Sequence, residues 1–244
     1  MKTPQRKTIE INLGVLVVVI AITVIAIVLL KYHVEGEKDM PYILKEIDII
    51  STATGENEIT EENKWNVKIS QNSDVYIEIE RNSEHKSNEN IKNVKIQEIQ
   101  INSLGKYTPK LYLPSQEGEK IFDYKEENLA KEEIEYNVDN SKNIKKKTIT
   151  SEGGIIALSF ANNNIGTYIG NDDKIVYDGT LLEKLSITNE DIKFDVKFSL
   201  IIETESNKKY KAEIILNLPG GDLVKDRIIK IKNTELEEIV FKRI

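Results

Sequence analysis

The fold class the sequence predicts is all-β: an antiparallel β-sandwich, one large or two in tandem, preceded by a single apolar helix. Three observations predict it. A charge-free aliphatic run lies near the N-terminus, apolar and polar residues alternate with period two across most of the rest, and Gly, Asn, Asp, Ser and Pro cluster between the alternating segments.

The run from Leu13 to Leu30 carries no charge, and Ile11 and Asn12 lengthen it. Twenty residues at a helical rise of roughly 1.5 Å span about 30 Å, the thickness of a bilayer core. Such a helix, apolar all round, is expected to cross a membrane over 12–30, since lipid requires every backbone group to be paired within the segment. A cleaved signal peptide is the competing reading. It calls for a shorter apolar region and small residues at a cleavage site, whereas this run ends Leu29-Leu30-Lys31-Tyr32-His33 with no A-x-A pattern after it. The basic residues Lys2, Arg6 and Lys7 place 1–11 in the cytoplasm as a basic tail. The expectation is a single-pass signal-anchor with residues 31–40 as a juxtamembrane tether, Tyr32 and His33 near the outer headgroups, and the C-terminal domain extracellular at the cell membrane.

Charge and composition narrow the function classes. The chain carries a formal −7, of which the first twelve residues contribute +2 and the part from Met40 onward −8. An acidic outer domain lacks the basic stripe that a nucleic-acid binder needs to neutralise phosphates, so no nucleic-acid partner is expected. With no cysteine, thiol nucleophiles, thiolate metal sites and disulfides are excluded. Roughly 200 residues suffice for a core without such staples. The richness in Ile, Lys, Asn and Glu fits an A+T-rich, low-GC Gram-positive source.

Within 41–222 the clearest strands are Phe194 to Ile202 and Tyr210 to Leu218, alternating runs joined through a polar Glu203–Lys209 loop and read as a hairpin with one wet face. Trp65, Val67 and Ile69 followed by Val75, Ile77 and Ile79 read as a second hairpin, turning at Gln71 to Ser73. Further strands are expected at Ile43–Ile50, Val94–Ile101, Lys110–Leu113, Ile134–Val138, Lys147–Ile149 and Ile155–Phe160. Loops are expected at Ser83–Asn90, Pro114–Gly118, Asn162–Asn164 and Pro219–Asp222. Asp178–Leu185 reads as a short helix capped by Asp178 with Leu181, Leu182 and Leu185 facing inward, and Lys125–Glu132 as a weaker one. Asp139–Lys146 lacks a buried face and is the candidate internal boundary. The segment 223–244 has an ambiguous period and either docks or trails.

The search for chemistry returns no catalytic, cofactor-binding or metal-ligating residues. His33 and His85 are the only histidines, and His85 lies in a polar loop where a solvated role is expected over a triad role. Zinc lacks ligands. The cluster Asn171, Asp172, Asp173 and Asp178 offers oxygens for Ca²⁺ but not the EF-hand spacing, and reads as a polar turn. Glu126-Glu127, Glu132-Glu133 and Glu237-Glu238 read as solvated faces, because carboxylate pairs are common in a chain that is 31% charged. Gly153-Gly154 and Gly220-Gly221 read as turns next to strands rather than phosphate loops. Trp65 and Tyr76, Tyr107, Tyr112, Tyr168, Tyr177 and Tyr210 would form a glycan platform if they shared one exposed face, but they fall on different strands and read as core and rim.

The segments Lys31-Tyr32-His33-Val34-Glu35-Gly36-Glu37, Met40-Pro41 and Ile50-Ser51-Thr52-Ala53, with Trp65-Asn66, Gln71-Asn72, Asp74-Val75-Tyr76 and Leu218-Pro219, resemble a group of single-pass clostridial membrane proteins with no assigned activity. The resemblance covers most of the chain. It implies topology and source and brings no functional residues with it. The expected function is a non-enzymatic, membrane-anchored envelope interaction or structural protein, held by membrane lipid and meeting an envelope protein or the cell wall. The alternative is a carbohydrate-binding or carbohydrate-processing surface domain, which would show a groove with aromatics beside acids.

Overall fold

The structure, a computed structural model, describes residues 4–37, 39–57, 64–86, 89–115, 120–130, 133–139, 148–234, 236 and 239–244, with backbone alone for 4–17 and 34–35. In chain order the elements are α1 (Pro4–Glu35), β1 (Tyr42–Asn57), β2 (Trp65–Arg81), β3 (Ile91–Ser103), β4 (Lys110–Tyr112), β5 (Ile134–Val138), β6 (Thr148–Ile149), β7 (Gly153–Gly170), α2 (Thr180–Lys184), β8 (Phe194–Thr204), β9 (Lys209–Leu218), α3 (Leu223–Asp226), β10 (Ile229–Asn233) and β11 (Lys242–Arg243). They form a five-stranded sheet, β10-β1-β2-β7-β4, and a six-stranded sheet, β11-β9-β8-β3-β5-β6. Pairing is antiparallel except between β5 and β6.

The period-two alternation does what it predicts. In β8 and β9, Phe198 pairs with Ile214 and Leu200 with Ala212, all buried, while Lys197 and Ile215 face outward. The inward faces of both sheets meet in one core, with Val75, Ile77 and Leu158 from the first sheet against Ile96, Val196 and Phe198 from the second. Phe160 and Phe194 touch across it with ring centroids 6.0 Å apart. A smaller cluster of Ala53, Val67, Ile69, Leu181, Leu182 and Leu223 lies beneath α2 and α3. Asp178 accepts a bond from the Thr180 amide (2.7 Å), starting α2 where the sequence places it. Both sheets take strands from either side of 139–146, so a boundary there would cut both; residues 140–147 themselves lie outside the described set.

Several expectations are corrected. Gln71–Ser73 is not a turn, because β2 runs through it without a break in direction and carries only a register irregularity between Ile69 and Gln71. Asn162–Asn164 is not a loop, because β7 continues through it to Gly170. Both stretches look like turns by composition, yet they lie side by side, with Asn162 Nδ2 donating to Gln71 Oε1 at 2.8 Å. Lys125–Glu132 supplies only a 3-10 turn at Glu126–Asn128, with Leu129 and Ala130 paired back towards β4. Residues 31–35 belong to α1, so the first half of the expected juxtamembrane stretch 31–40 is helical.

That helix ends at Gly36, whose positive φ of 72° closes the last turn as its amide bonds the Tyr32 carbonyl at 2.8 Å. A Cβ there would meet Val240 Cγ1 at 2.3 Å, because 223–244 docks rather than trails. β10 pairs with β1, and β11 pairs with β9. Beyond the pairing, the Glu37 amide donates to the Phe241 carbonyl at 2.7 Å and the Arg243 amide to the Tyr32 hydroxyl at 2.9 Å. His33 Nδ1 lies 3.1 Å from Lys242 Nζ. The C-terminal strand thus clamps the end of α1 to the domain. Among residues with described side chains, which along α1 begin at Val18, no helix is long and apolar enough to cross a membrane.

Phe198 is 1% exposed at the centre of the shared core. Phe198→Ala is expected to cost about 3–5 kcal/mol in a urea or guanidinium titration, whereas Ile215→Ala, on the wet face of the neighbouring strand, should stay within about 0.5 kcal/mol.

Candidate functional site

Alternation along β2 sends Val75 and Ile77 into the core and Asn72, Asp74 and Tyr76 onto the opposite, outer face. Cross-strand neighbours extend that face: Ile50 and Thr52 of β1 stand opposite Asp74 and Asn72, and Ser159 and Ala161 of β7 stand opposite the same two residues from the other side. Tyr112 of β4 pairs with Ser159. An outer face of this kind normally meets water. Here the chain after β4 returns over it: the Ser115 amide bonds the Ile121 carbonyl at 2.8 Å and the Leu113 amide the Asn128 carbonyl at 2.9 Å. The returning loop lays Phe122 near Tyr76 (centroids 6.3 Å) and Tyr124 edge-on to Tyr112 (5.4 Å).

Covering a polar face leaves polar groups to be matched. Asp74 Oδ1 accepts from Ser159 Oγ at 2.6 Å, from Asn72 Nδ2 at 3.1 Å and from the Tyr124 hydroxyl at 3.2 Å. All three converge on one carboxylate oxygen. Oδ2 has no partner among the described residues, and Asp74 lines a cleft of about 650 Å³ between the sheet and residues 120–125. Thr52, Thr54, Ser70, Tyr76 and Asn163 also line it. Asn163 donates to the Tyr112 hydroxyl (2.7 Å) and the Tyr124 carbonyl (3.3 Å), which fixes its amide nitrogen and turns its oxygen away. The side-chain oxygens of Asn72 and Asn163 are buried without a donor. Such an unmatched acceptor costs about 1–3 kcal/mol.

On the core side of the same stretch the polar groups are joined in series. Asn162 Nδ2 donates to Gln71 Oε1 at 2.8 Å, Gln71 Nε2 to Ser73 Oγ at 3.1 Å, Ser73 and Ser51 share a bond of 2.8 Å, and Ser51 donates to the Pro219 carbonyl at 2.9 Å. Burial pushes the Asp74 carboxyl above its ordinary 3.8, and the donors from Ser159, Asn72 and Tyr124 offset this only in part. Burial, followed by the charge of Asp74, raises the Tyr76 phenol to about 12 and the Tyr124 phenol further. Both tyrosines are therefore neutral donors at ordinary pH.

The residues singled out from sequence fall elsewhere for the most part. Tyr76 lines the cleft, and Tyr107 and Tyr112 border an adjoining recess with Tyr124 and Asn163. Trp65 and Tyr168 instead meet Asp172, through its carbonyl (2.6 Å) and carboxylate (2.7 Å), and Lys184 bonds the same carboxylate oxygen (2.5 Å). Asp172 is thus an ion-pair partner, while Asp178 accepts from the Thr180 amide just before α2, whose N-cap position is Gly179 rather than Asp178, the cap the sequence suggests. Tyr177 is exposed and Tyr210 buried. His85 corrects its reading as solvated: its side chain is 5% exposed, with Nε2 3.0 Å from Asp39. Gly153 and Gly154, with φ of 121° and 141°, open β7. Gly220 and Gly221 border a second cleft of about 450 Å³, whose lining holds no buried polar atom without a partner. Glu126 and Glu127 are exposed; Glu132, Glu237 and Glu238 lie outside the described residues.

Asp74, Asn72, Ser159, Tyr124, Phe122 and Asn163 escaped the sequence reading as site residues. For Asn72, Asp74, Ser159 and Asn163 the signal is polarity inside an otherwise alternating run, which composition alone assigns to turns; Phe122 and Tyr124 lie in a stretch without a period. Searches of protein-family models, curated proteins and solved structures find no match to the chain.

A raised carboxyl pKa means the folded state holds the proton more tightly than the unfolded chain does. Its stabilisation is full below 3.8 and is lost as pH rises through the folded-state value. Thermal melts of wild type and Asp74→Asn should show wild type losing stability relative to the variant as pH rises from acid to neutral. Parallel pH profiles would show that Asp74 titrates as it does in the unfolded chain.

Proposed function

We propose that the chain is a membrane-anchored, non-catalytic envelope protein that holds a sandwich-like β domain rigidly at the outer surface, where it meets an envelope protein or the cell wall. The observation that carries this reading is the surface of α1. From Val18 to Leu30 its large aliphatic side chains are 52 to 66% exposed around the whole helix, and none of the described residues of the β domain covers them. Water does not tolerate a rod of that kind, and a bilayer core does. The run extends in sequence to Leu13, within a continuous helix.

The clamp supports the second half of the reading. A domain hung on a loose tether would need no bonds between the helix end and the C-terminal segment, yet Tyr32 and Glu37 both make them and Gly36 packs closely against Val240 and Phe241. Thr52 and Thr54 of the cleft lie ten and twelve residues along β1 from Tyr42, about 33 and 40 Å at roughly 3.3 Å per residue. The cleft is thereby held well along the sheet from the helix. The acidic outer portion and the resemblance to clostridial membrane proteins accord with an exterior location on a low-GC Gram-positive cell.

With the full chain expressed in a Gram-positive host, the protein should remain in the membrane pellet after alkaline carbonate washing. Protease added to intact cells should remove the domain beyond α1. Recovery in the soluble fraction, or full protection of the domain in intact cells, would refute the anchor and its orientation respectively.

A further inference from the structure

We propose that the cleft between the outer face of the five-stranded sheet and residues 120–125 binds a neutral, hydroxyl-rich ring the size of a mono- or disaccharide, with Asp74, Asn72 and Asn163 accepting hydrogen bonds from its hydroxyls. This goes beyond the envelope reading and stands whether or not α1 is embedded.

The hydrogen-bond balance of the cleft sets the ligand class. Asp74 keeps Oδ2 free while three donors orient the group through Oδ1. Asn163 has committed both amide protons, to the Tyr112 hydroxyl and the Tyr124 carbonyl, and Asn72 one of its two, to Asp74, while the side-chain oxygen of each is buried without a donor among the described residues. What is missing is a set of donors. A ligand rich in hydroxyls supplies several at once and can also accept from Thr52, Thr54 and the Tyr76 phenol on the same wall.

Charge argues against the other donor-rich and acceptor-rich classes. Lys120 and Lys125 face Glu56 and Asp123 around the rim, with Lys125 bonded to Asp123 at 2.7 Å, so the lining has no net charge to gather an anion beyond the single carboxylate. Among the described residues no three His, Asp or Glu side chains gather to hold a metal ion. The volume, about 650 Å³, lies within the roughly 300–1,000 Å³ of small-molecule sites. Tyr76, Phe122 and Tyr124 provide flat apolar surface beside the polar wall, the combination that a sugar ring, with one apolar face and a hydroxylated edge, requires. Because the two amide oxygens are covered, the 120–125 loop yields outward as the ring seats. That loop is held on the sheet by side chains and a few backbone bonds rather than by a strand ladder.

Isothermal titration of the full chain, kept in a detergent without sugar headgroups, against chitotriose, maltotriose and myo-inositol tests this. At least one of the three should bind. Asp74→Asn, which preserves shape and the Oδ1 acceptor but replaces Oδ2 with a donor, should weaken that binding by at least about tenfold, the loss of one hydrogen bond to a charged group. Tyr76→Ala, half-buried at the wall, should weaken it as well, and Lys197→Ala on the other sheet should leave it unchanged. Preference for chitotriose would point to an N-acetylated wall glycan as the source, and preference for maltotriose or inositol to a free polyol; either supports the site. Absence of binding by all three at millimolar concentration would overturn the proposal. So would equal affinity in wild type and in both cleft variants with unchanged melting temperatures, or binding of Ca²⁺ alone.

Discussion

The five-stranded sheet depends on β2 staying extended through Ser70-Gln71-Asn72-Ser73-Asp74. This strand stands between β1 and β7 and pairs with both along most of its length. Five consecutive polar residues in a central strand would ordinarily bring polar groups into a core that cannot answer them, at a cost large enough to favour a turn. Here each polar side chain faces another at the same level of the sheet: Gln71 meets Asn162, Ser73 meets Ser51, and Asp74 meets Ser159. The network also pins the register, because a slip of one residue would send Asn72 and Asp74 into the core and Gln71 and Ser73 out of it.

The two faces of that stretch have opposite outcomes. On the core side the polar groups are matched in series and end on the Pro219 carbonyl, so nothing is left over except the Asn162 oxygen. On the outer side the loop over residues 120–128 removes water from a face built to be wet, and the surplus of acceptors becomes a property of the site. The outer face of the second sheet is handled differently. Lys92 bridges to Glu203, Lys95 to Glu133 and Lys197 to Glu213, long side chains whose charges stay near solvent and whose stems cover apolar surface. The solvent-facing pairs Lys95–Glu133 and Lys197–Glu213 contribute at most about 1 kcal/mol each, and the one buried side-chain oxygen without a donor among the described residues of β3 is that of Asn93. What sets the Asp74 cleft apart is that two such oxygens, of Asn72 and Asn163, stand beside the Asp74 carboxylate in the lining of one cavity.

Legibility in the sequence followed the periodicity. Where alternation was unbroken, as in Phe194 to Leu218, strand, partner and face were all readable, and the structure pairs Phe198 with Ile214 as a hairpin requires. Where polar residues interrupted it, the reading inserted turns at Gln71–Ser73 and Asn162–Asn164, and so divided the strands that build the cleft. Composition measures how a residue behaves towards water and towards its own backbone. It cannot report that Asn162 has Gln71 beside it from another strand 91 positions away. The same blindness hid Tyr124 and Phe122, which reach the sheet through a loop with no period, and made His85 look solvated when it is covered. The C-terminal segment was ambiguous for a related reason: β10 and β11 are short and take their partners from β1 and β9, far away in sequence.

The junction between α1 and the domain gives the long β1 strand a mechanical meaning. Tyr42 begins β1 six residues after Gly36, and Gly36 itself is packed too closely against Val240 and Phe241 to admit a side chain. A substitution there would press on the C-terminal segment and strain a backbone already at positive φ, so the helix end and the far end of the chain are coupled through one residue. With α1 in a bilayer, the orientation of the sheet would follow the helix rather than diffuse about a tether, and the cleft along β1 would meet its ligand with that part of the ordering entropy already spent. The same rigidity limits reach: a ligand in the wall would have to come to the cleft, which favours a repeated, abundant polymer over a rare and distant partner.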